Sequence, residues 1–170
     1  GMTISGLPAG REFVLQNVEF LSGTAGSQIV VQACLGRVHL VRVNAYSYAG
    51  TAALDVSLCS AVSVRNCDFQ GFPGLRAQNA TIAVSGSRCY GLGGSANVLP
   101  GIGAQLVDST AWFDSVQAYG GNAWHTDAPG PGIELINANL SATGITNGAR
   151  AQSGFLGSFA SPGFTAAVPA

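Results

Sequence analysis

Apolar and polar residues alternate along this chain in short runs, and the runs resemble one another. The clearest is Val62-Ser63-Val64-Arg65-Asn66-Cys67-Asp68-Phe69-Gln70-Gly71. Residues 13–20 match it position for position, and further copies begin at Val38, Ile82, Ala111 and Leu140. A period of two over stretches this short, bounded by Asn, Asp, Ser or Gly, predicts strands. A second, shorter run precedes each copy: residues 54–59, 75–80, 104–109 and 133–138, with a less regular one at 29–34. No window sustains the 3.6-residue period of a helix, and glycine punctuates throughout.

The copies start at 13, 38, 62, 82, 111 and 140, so the steps are 25, 24, 20, 29 and 29 residues. A β-rich unit of that size cannot bury its own apolar face and has to stack on the next copy. Unequal steps then place the extra residues in loops and leave the stacked strands constant. Strand, bend, strand, bend, strand, turn is one rung of a solenoid. The fold expected is all-β: a single-stranded parallel β-helix of about six rungs. Residues 1–12 form an irregular lead-in, 13–148 the rungs, and 149–170 a C-terminal cap or packing tail, all in one domain.

Superposing the copies gives the columns chemical meaning. Asn79, Asp108 and Asn137 share one column, and Asn17 and Asn66 another, which also holds Gly86 and Gly144. Asn, Asp and Gly are the residues that tolerate left-handed backbone, so these columns are the bends. Inward columns are apolar or small: Val18, Val43, Cys67, Ser87, Val116 and Ile145 in one, Phe20, Ala45, Phe69, Cys89 and Ala118 in another. Cys34 and Cys59 share a third with Ala80, Ser109 and Ala138. The cysteines are therefore read as small buried hydrophobes. Cys34 and Cys59 stand on neighbouring rungs, and a disulfide between them is left open.

The pattern Leu-x-Val-x-Leu-Cys-x-x-Val-x-Val-x-Asn-Cys-x-Phe-x-Gly over 54–71 resembles the right-handed parallel β-helix, or pectin-lyase-like, superfamily, and the likeness extends over roughly 12–148. The right-handed sense of the helix rests on that resemblance and on general crossover chirality. The resemblance also implies enzymes that bind polysaccharide along an outer sheet face, together with tailspikes, adhesins and members without activity.

Composition narrows the function. Charged residues make up 9% of the chain, lysine is absent, and the seven arginines are scattered, with a formal net charge of -1. No basic face for nucleic acid is expected. No apolar run reaches the ~20 residues of a membrane span. Gly1 ahead of Met2 reads as a cleavage scar, and a secreted or cell-surface location is expected. No CxxC pair or zinc-type Cys/His spacing is present, so neither a metal nor a cofactor is expected.

Any chemistry would lie in the outward columns. One carries Asp55, Arg76, Gln105 and Glu134, and another Glu19, Asn44, Asp68, Arg88, Gln117 and Thr146. No column sets two acids on adjacent rungs, as a glycosidase groove or a calcium-assisted lyase would require, so no catalytic residue is assigned. Asp55–Arg76 and Asp68–Arg88 are read as cross-rung ion pairs. His39 and Trp112 share a column with Val14, Ser63, Ala83 and Ser141, too far apart for a joint site. Outward Val107 and Ile136 predict cover by the tail or by another chain. The two 29-residue steps lengthen adjacent rungs at one corner, through 92–102 and 121–132. Those insertions supply the candidate ligand-binding residues Asn97, Asn122, Trp124, His125 and Asp127, with Arg150 closing the site from the next rung. Trp124 would stack on a sugar ring, and the others would meet its polar groups.

The function expected is that of a non-catalytic extracellular or surface module that binds carbohydrate or another protein. It would be a monomer, or a homo-oligomer through a sheet face or an end. The first alternative is a polysaccharide lyase or glycoside hydrolase, or a fragment of one. The second is a phage-fibre-like or adhesin-like assembly segment.

Overall fold

In the computed structural model the described residues are 1–22, 26–48, 50–92, 101–121, 131–144, 149–152 and 166–167, the last two segments for their backbone. All regular structure among them is β, arranged as parallel strands stacked in a solenoid of about five turns. The first rung is β1 (Met2–Ser5) and β2 (Glu12–Ser22), the second β3 (Ile29–Gln32) and β4 (Arg37–Ser47). The third holds β5 (Leu54–Ser57), β6 (Ala61–Arg65) and β7 (Asp68–Gly71), and the fourth β8 (Leu75–Gln78), β9 (Thr81–Ser85) and β10 (Arg88–Gly91). The fifth comprises β11 (Ala104–Val107), β12 (Thr110–Asp114) and β13 (Gln117–Tyr119). Then follow β14 (Ile133–Ile136), β15 (Asn139–Thr143), β16 (Ala149–Gln152) and β17 (Ala166–Ala167).

Three faces result. The first face stacks β1-β3-β5-β8-β11-β14-β16-β17, every neighbour parallel. The second face carries β6, β9, β12 and β15. The third carries β7, β10 and β13. The second and third faces join in β2 and β4, whose eleven residues run through the corner without a break. The register of every pair agrees with the superposed copies; Val62 lies beside Val38 and Ile82, for example. Strands β1, β16 and β17 lie inside segments read as lead-in and tail. They are too short, and too little punctuated by Asn, for alternation alone to reveal them.

Each rung turns on single residues of positive φ. Between the second and third faces these are Asn17 (55°), Arg42 (52°), Asn66 (53°), Gly86 (54°), Ser115 (54°) and Gly144 (62°). Between the first and second they are Gly6 (65°), Ala33 (51°), Leu58 (54°), Asn79 (49°), Asp108 (47°) and Asn137 (49°). The near-constant angle shows that the corner is imposed by stacking. Ala33, Arg42, Leu58 and Ser115 adopt it without the side chain that favours it, at a cost of roughly 1–2 kcal/mol each.

A corner interrupts the strand-to-strand ladder, and the residue that follows it repairs part of the loss. Cys34, Cys59, Cys67, Ser87 and Ser109 all stand one place after a corner, with side chains directed inward. Each donates its S–H or O–H to the carbonyl two residues earlier, at 2.6–3.3 Å. Three also accept a backbone N–H from the rung before: Val43 to Cys67 Sγ at 3.4 Å, Cys67 to Ser87 Oγ at 3.0 Å, and Ala80 to Ser109 Oγ at 3.2 Å. Buried N–H groups are costly to leave unpaired. Three of the four cysteines, Cys34, Cys59 and Cys67, are thus corner hydrogen-bonders as well as fillers, which explains their exchange with serine. All four are free thiols, including the neighbouring Cys34 and Cys59.

The core runs the length of the solenoid and is filled by Ile29, Leu54, Leu75, Leu106, Ile133 and Leu135 from the first face, met by Leu40, Phe69, Ile82, Phe113 and Leu140 from the others. In the first rung the same columns hold Phe13, Leu15, Val18 and Phe20, which are only partly buried.

The corner angle makes Leu58 a test. Its side chain is 61% exposed, so little burial is lost on replacement. Leu58→Asn should raise the urea midpoint, by an amount equivalent to about 1 kcal/mol, whereas Asn66→Ala should lower it by a similar amount. Equal midpoints for all three proteins would refute the account of the corners.

Candidate functional site

Two outward columns run along the third face. One is Glu19–Asn44–Asp68–Arg88–Gln117, polar throughout. Two residues further along each strand the other runs Leu21–Tyr46–Gln70–Tyr90–Tyr119. Parallel stacking sets successive members ~4.8 Å apart, so the face presents a polar row beside a largely aromatic one. The rings of Tyr90 and Tyr119 lean together with centroids 5.9 Å apart and planes tilted by 41°. Arg88 Nη2 lies 3.2 Å from Asp68 Oδ2, and Gln70 Nε2 donates to Asp68 Oδ1 at 3.4 Å.

Where this face meets the corner there is an open hollow of about 330 Å³. Asn44, Tyr46, Asp68 and Arg88 line it, and Asn66, Cys67 and Gly86 lie at the corner itself. Gly86 holds the positive φ of this corner, and a Cβ there would lie 2.5 Å from Asn66 Oδ1, so a larger residue would displace that amide. Burial, reinforced by the charges of Asp68 and Glu19 and opposed by Arg88, pushes the Tyr46 phenol up. It therefore remains a neutral O–H donor. The hollow offers amide, carboxylate, guanidinium and phenol groups within one sugar-sized space, a set suited to hydroxyl groups.

On the first face, Asp55, Arg76, Gln105 and Glu134 stand on successive rungs as expected. Arg76 Nε donates to Asp55 Oδ1 at 3.1 Å, its Nη2 makes a second, closer contact with Oδ2, and Gln105 Nε2 donates to Glu134 Oε2 at 2.7 Å. That hydrogen-bonded pair with Asp55 raises the Arg76 pKa further. This ladder holds rungs together and leaves its charged groups engaged with one another.

The second face departs from expectation. His39 and Trp112 line one hollow of about 220 Å³, floored by Ala61, Ser63, Thr81 and Ala83. Small residues on the two intervening rungs leave the space open, so distance along the column does not separate the two walls. His39 Nε2 lies 2.7 Å from Glu12 Oε1, yet the oxygen sits off the N–H direction and no directed hydrogen bond forms.

Of the candidate ligand residues, Asn97, Asn122, Trp124, His125 and Asp127 lie outside the described residues, as does the tail's apolar run. Arg150 falls in β16, in register with Glu134, so its backbone continues the first-face column and does not stand at the insertion corner. The roots of both insertions do meet at one corner: Gly101 N–H donates to Leu92 O and Gly121 N–H to Gly101 O, both at 2.8 Å. Among the described residues no three His, Cys, Asp or Glu side chains gather as a metal site. Nor, among the described residues, is any helix long and apolar enough to cross a membrane. Sequence reading missed the tyrosine row. The signal was present, because Tyr46, Tyr90 and Tyr119 fall at equivalent positions two residues beyond the polar column.

No protein-family model, curated protein or solved structure matches the chain.

Burial pushes up the thiols of Cys59 and Cys67, and that of fully buried Cys89 furthest. The folded state thus holds thiol protons that the unfolded state releases near pH 8.5. Stability should be full below that pH and fall as pH rises above it, since the unfolded chain binds fewer protons. Urea midpoints across pH 7–10 would check this, and a flat profile would refute it.

Proposed function

We propose that this chain is a non-catalytic carbohydrate-binding module that receives a glycan along its third face. The observation that supports this most directly is the pairing of a polar row with a tyrosine row at rung spacing. Tyrosine offers a broad apolar face and a polar tip with little side-chain entropy to lose, which suits the mixed surface of a sugar ring. Asn44, Asp68, Arg88 and Gln117 supply hydrogen-bonding groups beside it. An extended ligand lying parallel to the solenoid axis would meet one residue of each row on every rung. The resemblance of the repeat to the pectin-lyase-like β-helix superfamily supports the same reading, because the resemblance implies polysaccharide along an outer sheet face. Asp68 is held by Arg88 and Gln70, an arrangement suited to orienting a ligand's hydroxyls and ill suited to proton transfer. Such a module would work in a secreted or cell-surface setting.

Affinity electrophoresis against neutral and uronic-acid polysaccharides tests the reading. Tyr90→Ala and Arg88→Ala should each weaken retention about tenfold, equivalent to ~1.4 kcal/mol, with unchanged circular dichroism. Retention that both variants leave intact, or that only Trp124→Ala removes, would move binding off the third face.

A further inference from the structure

The second face shows a pattern that neither stacking nor glycan binding requires. Along its middle column Ser63, Ala83 and Trp112 occupy successive rungs, and along the next column Arg65, Ser85 and Asp114 do the same. Trp112 is 49% exposed and stands at one end of the hollow whose floor includes Ser63 and Ala83. Arg65 and Asp114 are exposed, and among the described residues neither has an ion-pair partner. Thr143 Oγ1 donates to Asp114 Oδ1 at 2.9 Å, which holds that carboxylate in place.

These residues are arranged symmetrically about β9. Ala83 lies midway between Ser63 and Trp112, and Ser85 midway between Arg65 and Asp114. A two-fold axis laid along β9, between two facing copies, sets each column against itself and exchanges β6 with β12. One operation then makes two kinds of match. Trp112 of one protomer comes down over Ser63 of the other, in the space left by small side chains. Arg65 of one faces Asp114 of the other, and both matches occur twice. Ala83 and Ser85 meet their own copies on the axis without bulk or charge. Such self-complementarity is what an isologous interface demands. An uncharged centre with an aromatic anchor and a charged rim is also the usual anatomy of an interface.

We propose that two copies of this chain pair through the second face, antiparallel along the solenoid axis, about a two-fold axis on β9. Under this operation β4, β6, β9, β12 and β15 face one another, and five rungs of five-residue strands cover about 17 by 19 Å, a footprint on the order of 300 Å² per copy. That is well under half the ~800 Å² per partner of a standard interface, so the dimer expected is a weak one. The charge match selects a second copy over a small apolar ligand in the hollow, because such a ligand would leave Arg65 and Asp114 without a role.

Sedimentation equilibrium of the full chain, up to several hundred micromolar, tests the pairing. A monomer–dimer equilibrium that weakens with added salt is expected. Arg65→Asp alone and Asp114→Arg alone should each raise the dissociation constant at least about tenfold. The two reversals combined should restore it, since each altered residue again faces its opposite. Trp112→Ala should weaken the dimer without changing the charge pattern. A monomer at the highest concentration, a trimer, single reversals without effect, or a double reversal that fails to rescue would each overturn the proposal. Circular dichroism and the thermal midpoint of every variant establish that the solenoid itself is intact.

Discussion

Two corner residues per rung must take up left-handed backbone, and the rest of the solenoid depends on their doing so at the same place each time. A strand that turned one residue early would send its inward set to the surface, because side chains alternate with period two. With φ held between 47° and 65° at all twelve corner positions, the columns stay aligned over rungs of unequal length. Stacking is strong enough to impose this angle on Leu58 and Arg42, which do not favour it. The Cys and Ser hydrogen bonds beside the corners show the same constraint from the polar side. Turning the chain breaks the ladder, and a short inward donor–acceptor group restores part of it.

The corners also decide where the protein can vary. The third-to-first connection has no comparable column of left-handed residues, and it is there that the chain lengthens, at 93–100 and 122–130. Stacked glycines and the bonds joining Leu92, Gly101 and Gly121 keep the roots of both insertions together. Outward positions carry no such restriction, and each face has its own character. The first is braced by one ion pair and a Gln105–Glu134 hydrogen bond, the second carries a hollow between His39 and Trp112 beside Arg65 and Asp114, and the third is polar and aromatic. A pairing through the second face would leave the third open on both copies, so a dimer would present two glycan sites and gain avidity on a polymer.

Much of the fold could be read from residues 54–71 and their copies. Alternation gave the strands, and Asn66 over Gly86 gave one bend column, because Asn and Gly share a backbone preference that few other residues have. Ala33, Leu58, Arg42 and Ser115 carry no such mark, and their corner roles became visible only through register. Strand β1 was hidden for a related reason: four residues hold too few alternations to stand out. The sites were less legible. A binding face is a matter of which outward columns lie side by side, and that depends on strand spacing across the corner. Tyr46, Tyr90 and Tyr119 are 44 and 29 residues apart in the chain, so nothing local joins them. The His39–Trp112 hollow was hidden because it is made by what Ser63 and Ala83 lack.

The first rung carries a further implication. Phe13, Leu15 and Phe20 are only partly buried against the core, and among the described residues β2 pairs along one edge only, with β4. Each rung here is the template for the next, and the template is equally good at every step. A compact globule closes on itself when its core is enclosed, whereas this architecture has no point at which the rule of addition is exhausted. Its length is therefore information held outside the repeat.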